Sequence, residues 1–319
     1  MALWTPDKIT TALWLDADDS STIALDGSSN VEQWNDKSGN ARNASQSTSS
    51  ARPSVATAAL NSLDALDFNG SSEFLTVGSL AESQPTHYFA VAKTRSPTTG
   101  GRQYLFDGAG GLNTTRNLCA MRGNSVNRYG GWANGWFDHS VSTDANFHVI
   151  GLLFDGSGSS IGVDGAVESV STGTNNLSLG LNIGTNYEAE IDWLDGQIAE
   201  LIVCSGALSS EDREKMEGYL AHKWGLAASL PAEHPYKSAP PISGVFHGTV
   251  IDKDGNPAER RISVLDATGQ CVATETSDPL TGAYEIETPK ETPHTLVFEG
   301  EPDRNAQVFA NVIPGEPPA

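Results

Sequence analysis

The sequence predicts an all-β protein of two domains, a large antiparallel sandwich closed by a single helix and a second, small β-sandwich. Three observations lead there. Short runs of β-branched and aromatic residues recur between Gly, Asn, Asp and Ser clusters, and glycine is abundant, at 32 of 319 residues. Only one segment combines helical spacing with helix caps. A proline-dense stretch interrupts the pattern near residue 240 and separates two groups of strands.

Taken in order, Phe89-Ala90-Val91-Ala92 reads as a strand. Segments 147–154 and 160–163 then face each other across Asp155-Gly156-Ser157-Gly158. The chain turns again at Asp164-Gly165, a dipeptide suited to the positive φ of a type I′ turn, which makes a meander. Residues 198–203 form another strand. The helix is expected over 209–224: Ser209-Ser210-Glu211-Asp212 supplies an N-cap and an acidic first turn. Met216, Tyr219, Leu220 and Trp224 follow at helical spacing, and Gly225 closes the helix. Trp224 and Tyr219 would plug an apolar patch at the rim of the sandwich. Pro231, Pro235, Pro240 and Pro241 cannot continue a helix or a central strand. The domains are therefore placed at 1–237 and 244–319, with a connector at 238–243. In the second domain, 244–250, 262–266, 271–276, 283–287 and 295–299 alternate apolar and polar residues between turns such as Asp254-Gly255-Asn256-Pro257. The tail Pro314-Gly315-Glu316-Pro317-Pro318 is expected to be loose.

Charge narrows the partners. Forty acidic residues against 19 basic ones leave a net charge of -21, which repels phosphate backbones and anionic lipid, so neither nucleic acid nor membrane is an expected partner. With only 18% of residues charged and 38% hydrophobic, the acidity is a dilute surface excess on a folded chain. Cys119, Cys204 and Cys271 lie far apart and read as buried or half-buried thiols, without the spacing of a zinc site. No Ser-His-Asp set or phosphate loop is evident. The N-terminus lacks a basic then apolar leader, and no apolar run approaches the ~18 residues of a membrane span. The expectation is a chain made in a cytoplasm that reaches the outside by another route, such as assembly into a virus particle.

Several segments carry a resemblance. Leu13-Trp14-Leu15-Asp16-Ala17-Asp18-Asp19, Val31 with Gln33-Trp34-Asn35-Asp36, Arg52-Pro53 and Leu66-Asp67-Phe68-Asn69-Gly70 resemble the opening strands of laminin G-like (concanavalin A-like) jelly-roll modules of phage and bacterial surface proteins. Gly196 to Val203, then Gly218-Tyr219-Leu220-Ala221-His222-Lys223-Trp224-Gly225 and His234-Pro235-Tyr236, resemble that module's close. Residues 100–145 match nothing in it. The second domain is similar to carboxypeptidase-regulatory-like or transthyretin-like sandwiches, through Gly248 to Asp252, Gly255-Asn256-Pro257 and Thr281-Gly282-Ala283-Tyr284. Arg260-Arg261, Asp278-Pro279-Leu280-Thr281-Gly282 and Val312-Ile313-Pro314 look like its version in phage virion proteins. The resemblance implies a non-catalytic virion structural or surface-display protein, with the jelly roll facing outward toward a host surface or glycan. Other virion proteins, a surface glycan and further copies of the chain are the implied partners. A bacterial carbohydrate-binding adhesin module is the alternative, and a retaining glycan hydrolase a further one.

Three constellations bear on that choice. Segment 127–139 is the most ligand-like: Tyr129, Trp132 and Trp136 would stack on sugar rings, while Asn134, Asp138 and His139 would bond hydroxyls from a glycine-rich loop. The competing reading packs both tryptophans under a long connection. Glu190, Asp192 and Asp195 echo the E-x-D-x-x-E strand of one endoglycanase family, with Glu190 and Asp192 on one strand face. Laminin G-like modules often bind calcium, which makes Asp16, Asp18, Asp19 and Asp36 candidate oxygen ligands, though solvated surface acids are the default. Asp252-Lys253-Asp254-Gly255-Asn256 imitates the start of an EF-hand loop but has Ser263 at its twelfth position, so it reads as a hairpin turn.

Overall fold

The computed structural model describes residues 2–97, 101–110, 114–122, 127–252, 254–265, 269–288, 294–300 and 307–312. The Pro-rich tail and the motif residues Ile313-Pro314 lie outside the described residues. The chain forms two compact units, one spanning 9–239 and the other combining residues up to 8 with those from 240 onward. The first residues thus differ from the expected 1–237 boundary. Strand Ala2–Leu3 pairs antiparallel with Ile242–Thr249, and a two-residue edge strand leaves no periodicity to read.

The larger unit is an antiparallel two-sheet sandwich. One sheet has nine strands in the order Trp136–Ser142, Arg128–Trp132, Leu118–Arg122, Gln103–Gly108, Leu181–Ile183, Leu75–Val77, Ala44–Ser45, Val31–Trp34 and Ile23–Leu25. The other runs Ala166–Ser169, Ser160–Val163, His148–Phe154, Thr86–Thr94, Asp195–Ser205, Leu63–Asn69 and Ser54–Leu60, and Thr11–Asp16 pairs with Asp195–Ser205. A single core lies between them. Val31, Trp34, Leu75, Phe106 and Tyr129 come from the first sheet, and Leu13, Phe68, Tyr88, Ile150 and Leu201 from the second. Alternate residues of each strand feed that core, as a period of two requires. The meander turn at Asp164-Gly165 has φ of 51° and 78°, the type I′ geometry that the dipeptide favours.

The helix spans Ser210–Lys223, with Ser209 as N-cap: its Oγ accepts the Asp212 N–H at 3.1 Å. Met216, Leu220 and Trp224 are fully buried, as their spacing predicts. What the sequence alone did not suggest is the polar node beneath them. Glu200, on strand Asp195–Ser205, is 0% exposed, and its carboxylate gathers four donors. Trp14 Nε1 (2.7 Å) and Tyr219 Oη (2.9 Å) donate to Oε1, and Trp224 Nε1 (2.7 Å) and Lys223 Nζ (2.9 Å) to Oε2. Lys223 also reaches Asp16 at 2.6 Å, so the node joins three elements by charge-assisted bonds.

His148 makes a second buried polar contact. Its Nδ1 lies 2.6 Å from Asp164 Oδ2 and its Nε2 3.0 Å from Asp144 Oδ1. Burial pulls the imidazole pKa down, but the hydrogen bonds and charges of Asp164 and Asp144 outweigh it, and the net shift is upward. A raised folded pKa makes this contact stabilising below the unfolded value of about 6.5 and progressively lost as pH rises through the folded one. Stability measured by denaturant titration should therefore rise as pH falls from 8.5 to 6. His148→Gln should flatten that rise, and an unchanged profile would show that other groups carry it.

The smaller unit has a three-stranded sheet of Ala2–Leu3, Ile242–Thr249 and Ala283–Thr288, and a four-stranded one of Cys271–Thr276, Arg261–Leu265, His294–Phe298 and Gln307–Val312. Phe246, Ile262, Val264, Tyr284, Ile286 and Leu296 form its core. Asp252 Oδ1 accepts the N–H groups of Asp254 and Asn256 at 2.9 Å each, so the calcium-loop mimic is a hairpin turn. Cys271 is exposed, unlike the expectation, because it opens an outer strand of a thin sheet, whereas Cys119 and Cys204 are buried.

Candidate functional site

The segment expected to be a glycine-rich loop is a hairpin. Arg128–Trp132 and Trp136–Ser142 pair with Trp132 opposite Trp136 across a turn at Ala133-Asn134-Gly135. Its glycines serve close packing and not loop mobility: a Cβ on Gly131 would lie 2.4 Å from the Phe137 ring. Strand alternation then divides the six candidate residues. Tyr129 and His139 turn inward and are 0% and 1% exposed. His139 accepts the Val141 N–H on Nδ1, which leaves Nε2 to donate to the Ala166 carbonyl at 3.0 Å. Neither is available to a ligand. Asn134 sits at the exposed hairpin tip, with φ of 69°. Asp138 shares the outer face with the tryptophans, and burial raises its carboxyl pKa against the pull of Arg128. Of the six, Trp132 and Trp136 line the pocket on this face.

That pocket, of about 330 Å³, opens on the nine-stranded sheet. Its floor is aromatic. Half-buried Trp132 and Trp136 pack on Tyr104, Leu118 and Ala120, with the Tyr104 and Trp136 ring centroids 6.3 Å apart. Arg102 lies 5.8 Å from the Tyr104 ring and 6.0 Å from that of Trp136. Arg116 is held between Trp132 (4.7 Å) and Tyr187 (4.1 Å), which fastens the floor to the facing wall. Residues 186–192 form that wall, where Asn186, Tyr187, Glu188, Ile191 and Asp192 face the cavity.

Two carboxylates work behind this surface. Asp107 is fully buried and pairs with Arg116 Nη1 at 2.5 Å, while the Tyr187 N–H donates to it at 3.1 Å. Burial pushes its carboxyl up to about 7, against the opposing charge of Arg116. Its Oδ1 and the Arg116 Nε are buried without a hydrogen-bond partner. Asp192 stands 3.4 Å from Arg102, has a left-handed φ of 57°, and its carboxyl is raised by burial, with Arg102 opposing. A non-glycine residue in that region marks a position held by its surroundings. Here the Tyr104 N–H, bonded to the Asp192 carbonyl at 3.0 Å, helps hold it.

The endoglycanase-like reading meets a different local structure. Glu190 and Asp192 lie in the turn of 186–192 and not on a strand, so no period-two face brings them together. Asp195 does begin a strand, where its carboxylate accepts from Arg95 Nε at 2.9 Å and Ser96 Oγ at 2.6 Å. The calcium candidates are likewise engaged. Asp16 holds Lys37 at 2.8 Å and Lys223 at 2.6 Å. Asp19 also holds Lys37, at 2.9 Å, and that bond takes its carboxyl down to about 2. Asp18 accepts the Asp64 N–H, and Asp36 accepts from Trp14, Ser38 and Arg42 backbone N–H groups. At Asp16 and Asp19 lysine ammonium groups take the carboxylate oxygens, and among the described residues there is no group of three or more His, Cys, Asp or Glu that could hold a metal ion.

Arg102, Tyr104, Arg116 and the wall at 186–192 had no signal in the sequence, since they meet only through strand order. Asp192 was singled out for another chemistry.

No protein-family model matches this chain, and no curated protein sequence matches it. Solved structures with a similar fold include domain 4 of AbnA, a GH43 extracellular arabinanase from Geobacillus stearothermophilus, in complex with arabinotriose. It is 15% identical with a TM-score of 0.46, over 63% of this chain and 95% of that one. The binding domain of botulinum neurotoxin serotype D is 11% identical with a TM-score of 0.43, over 94% of this chain and 72% of that one. Trypanosoma rangeli sialidase is 12% identical with a TM-score of 0.41, over 70% of this chain and 34% of that one, so this chain spans about a third of the sialidase. These are likenesses of β architecture, and no residue role is carried over from them.

Proposed function

We propose that the larger unit is a non-catalytic glycan-binding module whose site is the pocket floored by Trp132, Trp136 and Tyr104. The observation that carries the reading is the register pairing of the two tryptophans on the outer face of a rigid sheet, half-buried beside arginine, asparagine and carboxylate groups. Aromatic faces bind the C–H faces of sugar rings, while a small number of placed polar groups fixes orientation. A sheet face holds such a platform more firmly than the loop first expected.

Calorimetry of the full chain against oligosaccharides tests it. Trp136→Ala should weaken the tightest glycan by about 2 kcal/mol, roughly thirtyfold in Kd, with the melting temperature little changed because the side chain is only half-buried. Undiminished binding in that variant would place the site elsewhere.

The wider setting, a module carried on a phage particle by the small C-terminal sandwich, is proposed from the sequence resemblance alone. Deleting residues 244–319 should abolish incorporation into particles, and persistent incorporation would make the larger unit the anchor.

A further inference from the structure

Resting on that glycan-binding reading, we infer that the sugar unit it takes is uncharged, and that Arg102 and Asp192 together read a pair of adjacent hydroxyls on it. Charge balance is the first support. The described residues lining the pocket include two cations, Arg102 and Arg116, and two anions, Glu188 and Asp192. Each arginine already has a carboxylate: Arg102 has Asp192 at 3.4 Å, and Arg116 has Asp107 at 2.5 Å. A sugar carboxylate or sulfate would add a further negative charge beside carboxylates that already balance these arginines, on a chain of net charge -21 that repels anions at long range.

Donor chemistry is the second. A hydroxyl both donates and accepts, so a vicinal pair matches a guanidinium that only donates beside a carboxylate that only accepts. Arg102 and Asp192 provide that combination at the edge of the Tyr104 and Trp136 platform, and the Arg102 side chain is 36% exposed and so open to a ligand. The fixed backbone of Asp192 is the third: its carbonyl accepts the Tyr104 N–H at 3.0 Å and its φ is 57°, which ties the carboxylate's position to the aromatic floor. Arg116, stacked between Trp132 and Tyr187, acts as a positioning residue for the wall.

The test uses the full chain on an array of gluco-, xylo-, arabino- and galacto-oligosaccharides, with sialylated, sulfated and uronate counterparts. Methyl-esterified and de-esterified oligogalacturonides, which differ at C6 alone, a neutral methyl ester against a carboxylate, serve as a paired comparison. Binding should concentrate on uncharged members, with Kd changing less than about twofold between 50 and 500 mM NaCl. Asp192→Asn, which keeps shape and tolerates positive φ, and Arg102→Gln should each weaken the tightest uncharged glycan about tenfold or more. Preference for anionic members, weakening with salt, would overturn the inference while leaving the glycan-binding reading intact. Uncharged binding that survives both variants would remove the hydroxyl-reading role. Binding to no member would overturn the glycan-binding reading itself, and this inference with it.

Discussion

Glu200→Ala should lower the stability of the larger unit by about 3–5 kcal/mol, the range for removing one partner of a buried ion pair. The truncation leaves two indole N–H groups, a phenol and the Lys223 ammonium around a cavity in place of an acceptor. Asp16 retains Lys223 at 2.6 Å, so the losses that matter most are the bonds from the indole Nε1 groups of Trp14 and Trp224, both made to Glu200. Glu200→Gln should cost less, roughly 1–3 kcal/mol, because the amide keeps one acceptor oxygen but turns a donor toward other donors. The measurement is chemical denaturation followed by tryptophan fluorescence. A Glu200→Ala protein as stable as the parent would show that the node contributes nothing net.

Trp224→Ala should be of similar size, about 3–5 kcal/mol, for a different reason. The side chain is 0% exposed at the C-terminal end of the helix, so truncation opens a large cavity as well as deleting the N–H to Glu200. Trp224→Phe separates the two contributions. It keeps most of the apolar volume and loses the hydrogen bond, so about 1–2 kcal/mol is expected. At roughly 2–4 °C per kcal/mol for a unit of this size, Trp224→Ala should melt on the order of 10 °C lower and Trp224→Phe a few degrees lower. Equal losses in the two variants would assign the effect to the hydrogen bond and not to packing. A soluble Trp224→Ala protein with an unchanged melting temperature would reopen a surface role for the residue.

The pocket bears on stability as well as binding. Burial pushes the Asp107 carboxyl up to about 7, above its unfolded value, so its contribution to stability falls as pH rises from the unfolded carboxyl value toward 7. That trend has the same sign as the His148 contribution, and only the difference between parent and His148→Gln isolates the histidine.

The sequence by itself determined the elements whose causes are local. Asp164-Gly165 specifies its turn through positive φ, Ser209 and the Glu211-Asp212 turn start the helix, and Met216, Leu220 and Trp224 choose its buried face. The five strands expected in the smaller unit are present to within a residue or two, because alternation over five or six residues is a short-range signal. Only the tertiary structure decided what depends on strand order and facing. Residues 128–142 became a hairpin and not a loop, and once they did, the two-residue period sent Tyr129 and His139 to the core and left Trp132 and Trp136 outside. Arg102, Arg116 and Asp192 joined them only because Gln103–Gly108, Leu118–Arg122 and Arg128–Trp132 lie side by side in one sheet, against a turn some sixty residues further along the chain. Glu200 reads as one more polar residue in an alternating strand until helix and sheet meet. Its four donors come from positions 14, 219, 223 and 224, and contacts across such sequence distances have no local pattern to announce them.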